Sequence, residues 1–172
     1  AGDIILSING EVWNTFRELE SASQSPEVDV TVYRDGQELT ERVRTVALDG
    51  KGIDRVVSWA GALLQAPHRA ISVQRGIEAK GVYVSHFGLG SPASRSRLYA
   101  GSWIVSVNGQ PTPDLDSFLS LVNGLGDRDP IRLNRISLNN TSEVITLKLD
   151  KRYWPSYELR RDGQEWQRYS LE

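Results

Sequence analysis

The 172-residue sequence contains no cysteine and no methionine, and only two histidines, His68 and His86. Without cysteine there is no disulfide, thiolate nucleophile, iron–sulfur cluster or Cys-ligated zinc. Two histidines leave little for a His-based metal site, and the scattered acidic residues form no Asp-x-Asp-x-Asp-Gly calcium loop. No metal and no cofactor are therefore expected. A net charge of −2 offers no general attraction to nucleic acid or to an anionic membrane. The longest apolar stretches, such as Ile4-Ile5-Leu6 and Ala60-Gly61-Ala62-Leu63-Leu64, fall far short of the roughly 18 residues that span a bilayer. A chain that lacks methionine and opens Ala1-Gly2-Asp3-Ile4, with no signal character, is expected to be a processed or excised piece of a longer protein.

What is present is an ordinary globular composition, 39 % hydrophobic, and an internal repeat. Gly2-Asp3-Ile4-Ile5-Leu6-Ser7-Ile8-Asn9-Gly10 recurs 99 residues later as Gly101-Ser102-Trp103-Ile104-Val105-Ser106-Val107-Asn108-Gly109. Each copy reads as a buried strand closed by an Asn-Gly turn. A short amphipathic helix follows in both. Phe16, Leu19 and Ala22 hold helical spacing after an N-cap expected at Asn14. Leu115, Phe118, Leu121 and Val122 do so after Asp114. Alternating strands and a hairpin complete each unit: Val28, Val30 and Val32 then Leu39 to Val46 in the first, Ile131 to Ile136 then Val144 to Leu149 in the second.

The repeat is incomplete, because about fifty residues before Gly101 have no counterpart before Gly2. They supply a strand at Val56-Val57, the run Trp59 to Leu64, a polar helical stretch from Pro67 to Ile77, the strand Gly81 to Ser85 and a turn-rich loop at Gly88 to Ser94. The expected organisation is a distal half-domain over 1–48, a linker over 49–52, a complete domain over 53–152 and a tail over 153–172. The tail holds Tyr153, Trp154, Tyr157, Trp166 and Tyr169, and Asp162-Gly163 marks a hairpin within it. An exposed aromatic hairpin is costly, so the tail should pack on a domain or complete one. The half-domain would leave Ile4, Leu6 and Val30 partly uncovered by itself. It should pack on the complete domain, on the tail or on another chain.

Three chemistries compete. Acyl transfer needs a nucleophile, a base and a group that orients the base. Only His68 and His86 could serve as a histidine base, and Gly88-Leu89-Gly90-Ser91-Pro92 lacks the Gly-x-Ser-x-Gly form. Nucleotide binding would use Gly88-Leu89-Gly90, but Pro92 sits where a helix must open, and no P-loop Lys-Ser or Lys-Thr follows. Peptide binding asks for a strand edge that accepts an extended ligand and small residues that let a carboxylate reach backbone N–H groups. Ala60, Gly61 and Ala62, followed by Leu63 and Leu64, have that form, and a helix carrying Ser117, Phe118 and Leu121 would be the other wall. The same residues read equally well as a tight turn into a core strand.

The run Gly81-Val82-Tyr83-Val84, then Gly90-Ser91-Pro92-Ala93, then Leu98-Tyr99-Ala100-Gly101-Ser102-Trp103-Ile104-Val105-Ser106-Val107-Asn108-Gly109 resembles the PDZ domains of HtrA/DegP-type serine proteases. Ser102 stands where that family has Asp, and Trp59-Ala60-Gly61-Ala62 stands where it has an aromatic residue, Gly and a large apolar residue. Leu147 to Pro155, with Glu158-Leu159-Arg160-Arg161, is further similar to the C-terminal region of the fungal nuclear pro-apoptotic HtrA-like proteases. The resemblance implies a mainly β fold with short helices: PDZ-like, partly open antiparallel barrels, one complete and one half, plus the aromatic hairpin. It implies a parent serine endopeptidase whose Ser-His-Asp triad lies upstream, in the nucleus, with a role in apoptosis and lipid homeostasis. No catalytic residue is expected in this stretch. The expected function is to bind C-terminal or internal peptide segments, or to dock protease domains, through Ala60, Gly61, Ala62, Leu63, Leu64, Ser117, Phe118 and Leu121. The alternative is a structural scaffold whose groove is occupied or degenerate. The expected partners are peptides, other domains of the parent and further copies in a homo-oligomer, with neither nucleic acid nor membrane among them.

Overall fold

The computed structural model describes residues 2–47, 52–76, 78, 80–137 and 139–171. The chain divides into two compact units, Ala1–Asp49 and Gly50–Glu172. Apart from Gly52, the linker expected over 49–52 lies outside the described residues.

In the first unit, strands β1 (Ile4–Ile8), β2 (Glu27–Arg34) and β3 (Gln37–Arg44) form an antiparallel sheet in that order, with helix α1 (Phe16–Ala22) between β1 and β2. The α1 N-cap is Thr15 and not the expected Asn14. Thr15 is extended, its hydroxyl accepts from the Glu18 N–H, and the Glu18 carboxylate accepts from the Thr15 N–H. This reciprocal capping box satisfies two otherwise unpaired donors. Asn14 instead donates its backbone N–H to Glu18.

The second unit holds β4 (Arg55–Trp59), β5 (Ala62–Gln65), α2 (Arg69–Arg75), β6 (Val82–Phe87), α3 (Pro92–Arg95), β7 (Trp103–Val107), β8 (Gln110–Pro111), α4 (Leu115–Val122), β9 (Pro130–Ile136), β10 (Ser142–Lys148), β11 (Tyr157–Asp162) and β12 (Glu165–Ser170). Its antiparallel sheet runs β10-β9-β7-β6-β5-β4-β11-β12, with β8 paired to β7, and does not close. Period-2 alternation sends Val57, Leu64, Val82, Val84, Ile104 and Leu133 into one core under α4. The α4 N-cap is Asp114, as the sequence predicts, accepting from the Ser117 N–H at 2.7 Å.

The two Asn-Gly turns are built alike. Asn9 and Asn108 both take positive φ, and each side-chain carbonyl accepts a backbone N–H at 2.9 Å, from Asp29 and Arg132 respectively. Both strands ahead of these turns also carry a bulge at the same place, between Ile5 and Ser7 and between Ile104 and Ser106. The tail hairpin β11–β12 is part of the large sheet, because β11 pairs with β4 from Tyr157↔Ser58 to Arg160↔Arg55. That pairing gives the hairpin a partner for one edge and buries Glu158.

Candidate functional site

Ala60 and Gly61 form the tight turn between β4 and β5, with φ of 53° and 79°. Both carbonyls are already used: Ala60 accepts from the Ala93 N–H at 3.0 Å and Gly61 from the Gly88 N–H at 2.8 Å. A Cβ on Gly61 would lie 2.3 Å from Ser91 Cβ and 2.7 Å from the Trp154 ring, and one on Gly88 would lie 2.7 Å from the same ring. The glycines therefore admit the chain's own indole and serine at the turn expected to admit a ligand.

The strand that follows, β5, is hydrogen-bonded on both edges. Ser58↔Leu63 and Val57↔Leu64 join it to β4, while Leu63↔His86 and Leu64↔Val84 join it to β6. An extended ligand on β5 would have to displace one of these neighbours. β4 lies beneath α4, where Trp59 meets Phe118 edge-to-face at a centroid distance of 5.2 Å. Phe118 and Ala62 are fully buried, and Leu121 packs against the core. The expected wall residues thus divide. Phe118 is sealed behind Trp59, and Ser117 serves the α4 cap through its N–H.

Open space beside the expected turn and strand is a cleft of about 320 Å³ lined by Gly61, Leu63, His86, Gly88, Trp154 and Tyr157. A cleft of about 260 Å³ runs between α4 and β11. Trp59, Leu119, Val122 and Leu171 give it an apolar lining, and Asp116, Glu158 and Arg160 give it charge. Leu171 reaches this wall after β12, held by its N–H to the Ser156 carbonyl at 3.2 Å.

A charge relay crosses the cleft from helix to hairpin. Asp116 accepts from Arg55 Nη2 at 2.8 Å, Arg55 Nε donates to Glu158 at 2.6 Å, and Arg160 donates to the other Glu158 oxygen at 2.7 Å. Burial pushes the Glu158 carboxyl upward, but the hydrogen bonds from Arg160 and Arg55 outweigh it and hold its pKa below the ordinary value. The same chain of contacts lowers Asp116, chiefly through the hydrogen bond from Arg55, and raises Arg55. These residues were not legible as a site, because they join segments about a hundred positions apart.

His68 packs edge-on to Tyr83, and its Nδ1 has no hydrogen-bond partner among the described residues. Among the described residues there is also no cluster of His, Asp and Glu able to hold a metal, and no helix long and apolar enough to cross a membrane.

Residues 53–128 match the PDZ-like domain family. Protease Do-like 7 of Arabidopsis thaliana is 38 % identical over 99 % of this chain and 17 % of its own length. The pro-apoptotic serine protease NMA111 of Yarrowia lipolytica is 35 % identical over 98 % of this chain and 17 % of its own. Residues 53–128 are a PDZ-like domain of the kind found in HtrA-type serine proteases. The chain spans about 17 % of the length of those relatives. Among solved structures, the HtrA-type protease AlgW with a decapeptide aligns at a TM-score of 0.47 and 15 % identity, covering 71 % of this chain and 47 % of that one. In this PDZ-like region the turn Ala60-Gly61 and the strand Ala62–Gln65 are engaged by Trp154, Ser91, β4 and β6.

Proposed function

We propose that this region is a non-catalytic docking and scaffolding module of an HtrA-family serine endopeptidase, whose peptide groove is filled by its own chain. The observation that supports this is the position of β4: it pairs with β5 and packs Trp59 under Phe118 of α4, between the two walls that a ligand strand would need. Trp154 covers the glycine turn at the end of the same strand. Backbone pairing supplies most of the affinity of an added peptide strand, so an occupied edge removes it. The module then acts through its surfaces, by holding protease domains in place or by setting the oligomer. For the whole protein we infer a pro-apoptotic serine endopeptidase, the role for which the fungal relatives are named, and, from the family resemblance alone, a nuclear one.

Peptide recognition is the second reading, favoured by the cleft between α4 and β11 with its apolar lining. A fluorescence-anisotropy screen of diverse C-terminal peptides separates the two. The scaffold reading expects no binding up to about 100 µM. Micromolar binding that is lost on Leu119→Ala would overturn it in favour of recognition in the cleft between α4 and β11. Loss of regulated proteolysis when residues 50–172 are removed from the full-length protein is expected on either reading, and unchanged proteolysis would count against both.

A further inference from the structure

Basic and acidic residues are unevenly divided along the sequence. Residues 50–172 hold 16 Lys and Arg against 12 Asp and Glu, although the whole sequence is net negative. Part of this excess gathers at one further cleft of about 260 Å³, between α3 and the end of β10. Pro92 and Leu149 are buried and give it an apolar floor, while Arg95, Arg128 and Lys148 are exposed and set three cations around it. Neighbouring carboxylates are engaged by backbone N–H groups. Asp129 accepts from Gly126 at 2.7 Å, and Asp127 accepts from Lys151 at 2.9 Å. Asp150, in the cleft lining, accepts from the Tyr153 N–H at 3.4 Å and lies 3.9 Å from Arg95. Arg128 and Lys148 have no carboxylate within ion-pair distance among the described residues. Their backbones are held: the Arg128 N–H donates to the Leu149 carbonyl at 3.2 Å, and Lys148 pairs opposite Pro130.

We propose that this cleft binds a phosphorylated serine or threonine side chain carried by a partner protein segment. Three cations and one carboxylate leave the cleft a net charge of +2. A phosphate monoester brings about −1.5 to −2 at neutral pH, with three acceptor oxygens. A carboxylate brings a single negative charge and leaves one cation without a partner. The Arg95 and Arg128 guanidinium groups are forked donors suited to phosphate oxygens, and Lys148 adds a point charge. The apolar floor receives the carbon atoms beside the ester. This inference goes beyond the scaffold role and is separate from the state of the β5 groove, so either can fail alone.

The test is a titration of the isotope-labelled 172-residue chain at low salt, followed through its backbone amide NMR shifts. The probes are a short Gly-Ala peptide with one central phosphoserine, the same peptide with serine or with glutamate there, and inorganic phosphate. The phosphopeptide should move the amides of Arg95, Arg128 and Lys148, with a Kd of about 1 mM or below. The glutamate peptide and inorganic phosphate should bind at least about threefold more weakly, and the serine peptide weaker still. Arg128→Gln and Lys148→Gln should each weaken the phosphopeptide at least about fivefold. Arg161→Gln removes the same charge from the exposed β11–β12 hairpin and should change nothing. All three side chains are exposed, and the unmoved amides of each variant check that its fold is kept. Absence of binding up to about 10 mM overturns the proposal, as do shifts centred elsewhere or binding that both Arg128→Gln and Lys148→Gln leave intact. Equal affinity for the glutamate peptide overturns it in favour of any acidic segment. Equal affinity for inorganic phosphate overturns the protein segment as the source of the phosphoryl group.

Discussion

Replacing Glu158 by Gln tests whether the hairpin is held as a structural strand. The carboxylate is 1 % exposed and receives both Arg55 and Arg160, while the Arg55 and Arg160 side chains are 26 % and 51 % exposed. Glutamine keeps the volume but removes the charge, and it turns an N–H toward one guanidinium. Removing one member of a buried ion pair costs about 3–5 kcal/mol. Water reaches Arg55 in part, and Asp116 remains its partner, so Glu158→Gln should cost less than that range, about 2–3 kcal/mol. That corresponds to a fall in Tm of about 8–12 °C for a unit of this size. The assay is urea unfolding followed through the near-ultraviolet signal of the buried Trp59 and Trp103. The sign with pH is also fixed. The folded Glu158 pKa lies below its ordinary value of 4.5. Its stabilisation is complete above that value and is lost as pH falls through the folded pKa. Wild type and Glu158→Gln should therefore converge in acid. A gap below about 0.5 kcal/mol at neutral pH, or one that does not shrink in acid, would refute the reasoning.

Other substitutions probe the remaining contacts. Gly61→Ala places a methyl group 2.3 Å from Ser91 Cβ at a φ of +79°, and should cost about 3 kcal/mol in thermal unfolding. A neutral result would mean that the glycine turn is not packed as described. Phe118→Ala removes a fully buried ring from Trp59 and should cost about 3–5 kcal/mol, measured by denaturant midpoint. A cost near zero would be incompatible with a sealed wall. Thr15→Ala breaks the capping box of α1 and should destabilise the first unit by about 1 kcal/mol, leaving the second transition in place. Loss of both transitions together would contradict two separate compact units.

Much of the fold was written locally. The Asn-Gly turns, the period-2 strands, the helix spacing of Leu115, Phe118 and Val122 and the Asp162-Gly163 hairpin all depend on neighbours in the chain. The α1 cap was misplaced by one residue, because Asn14 and Thr15 are both good caps and only the reach of Glu18 selects between them. The candidate site was less legible. Trp59-Ala60-Gly61-Ala62 reads as a turn with small residues, whether those residues admit a ligand or a side chain of the same molecule. Which of the two occurs depends on Trp154, more than ninety positions away.

By itself the sequence determined that this is mainly β, built from strand, turn and helix units at an offset of 99 residues, and akin to HtrA-type PDZ domains. Those properties follow from side-chain periodicity and from turn residues that tolerate positive φ. The tertiary structure decided which edges are taken. It placed β4 on β5, set β11 beside β4 and buried Glu158 between two arginines. Strand pairing and buried charge join residues distant in sequence, and no local pattern of turns and alternation specifies them.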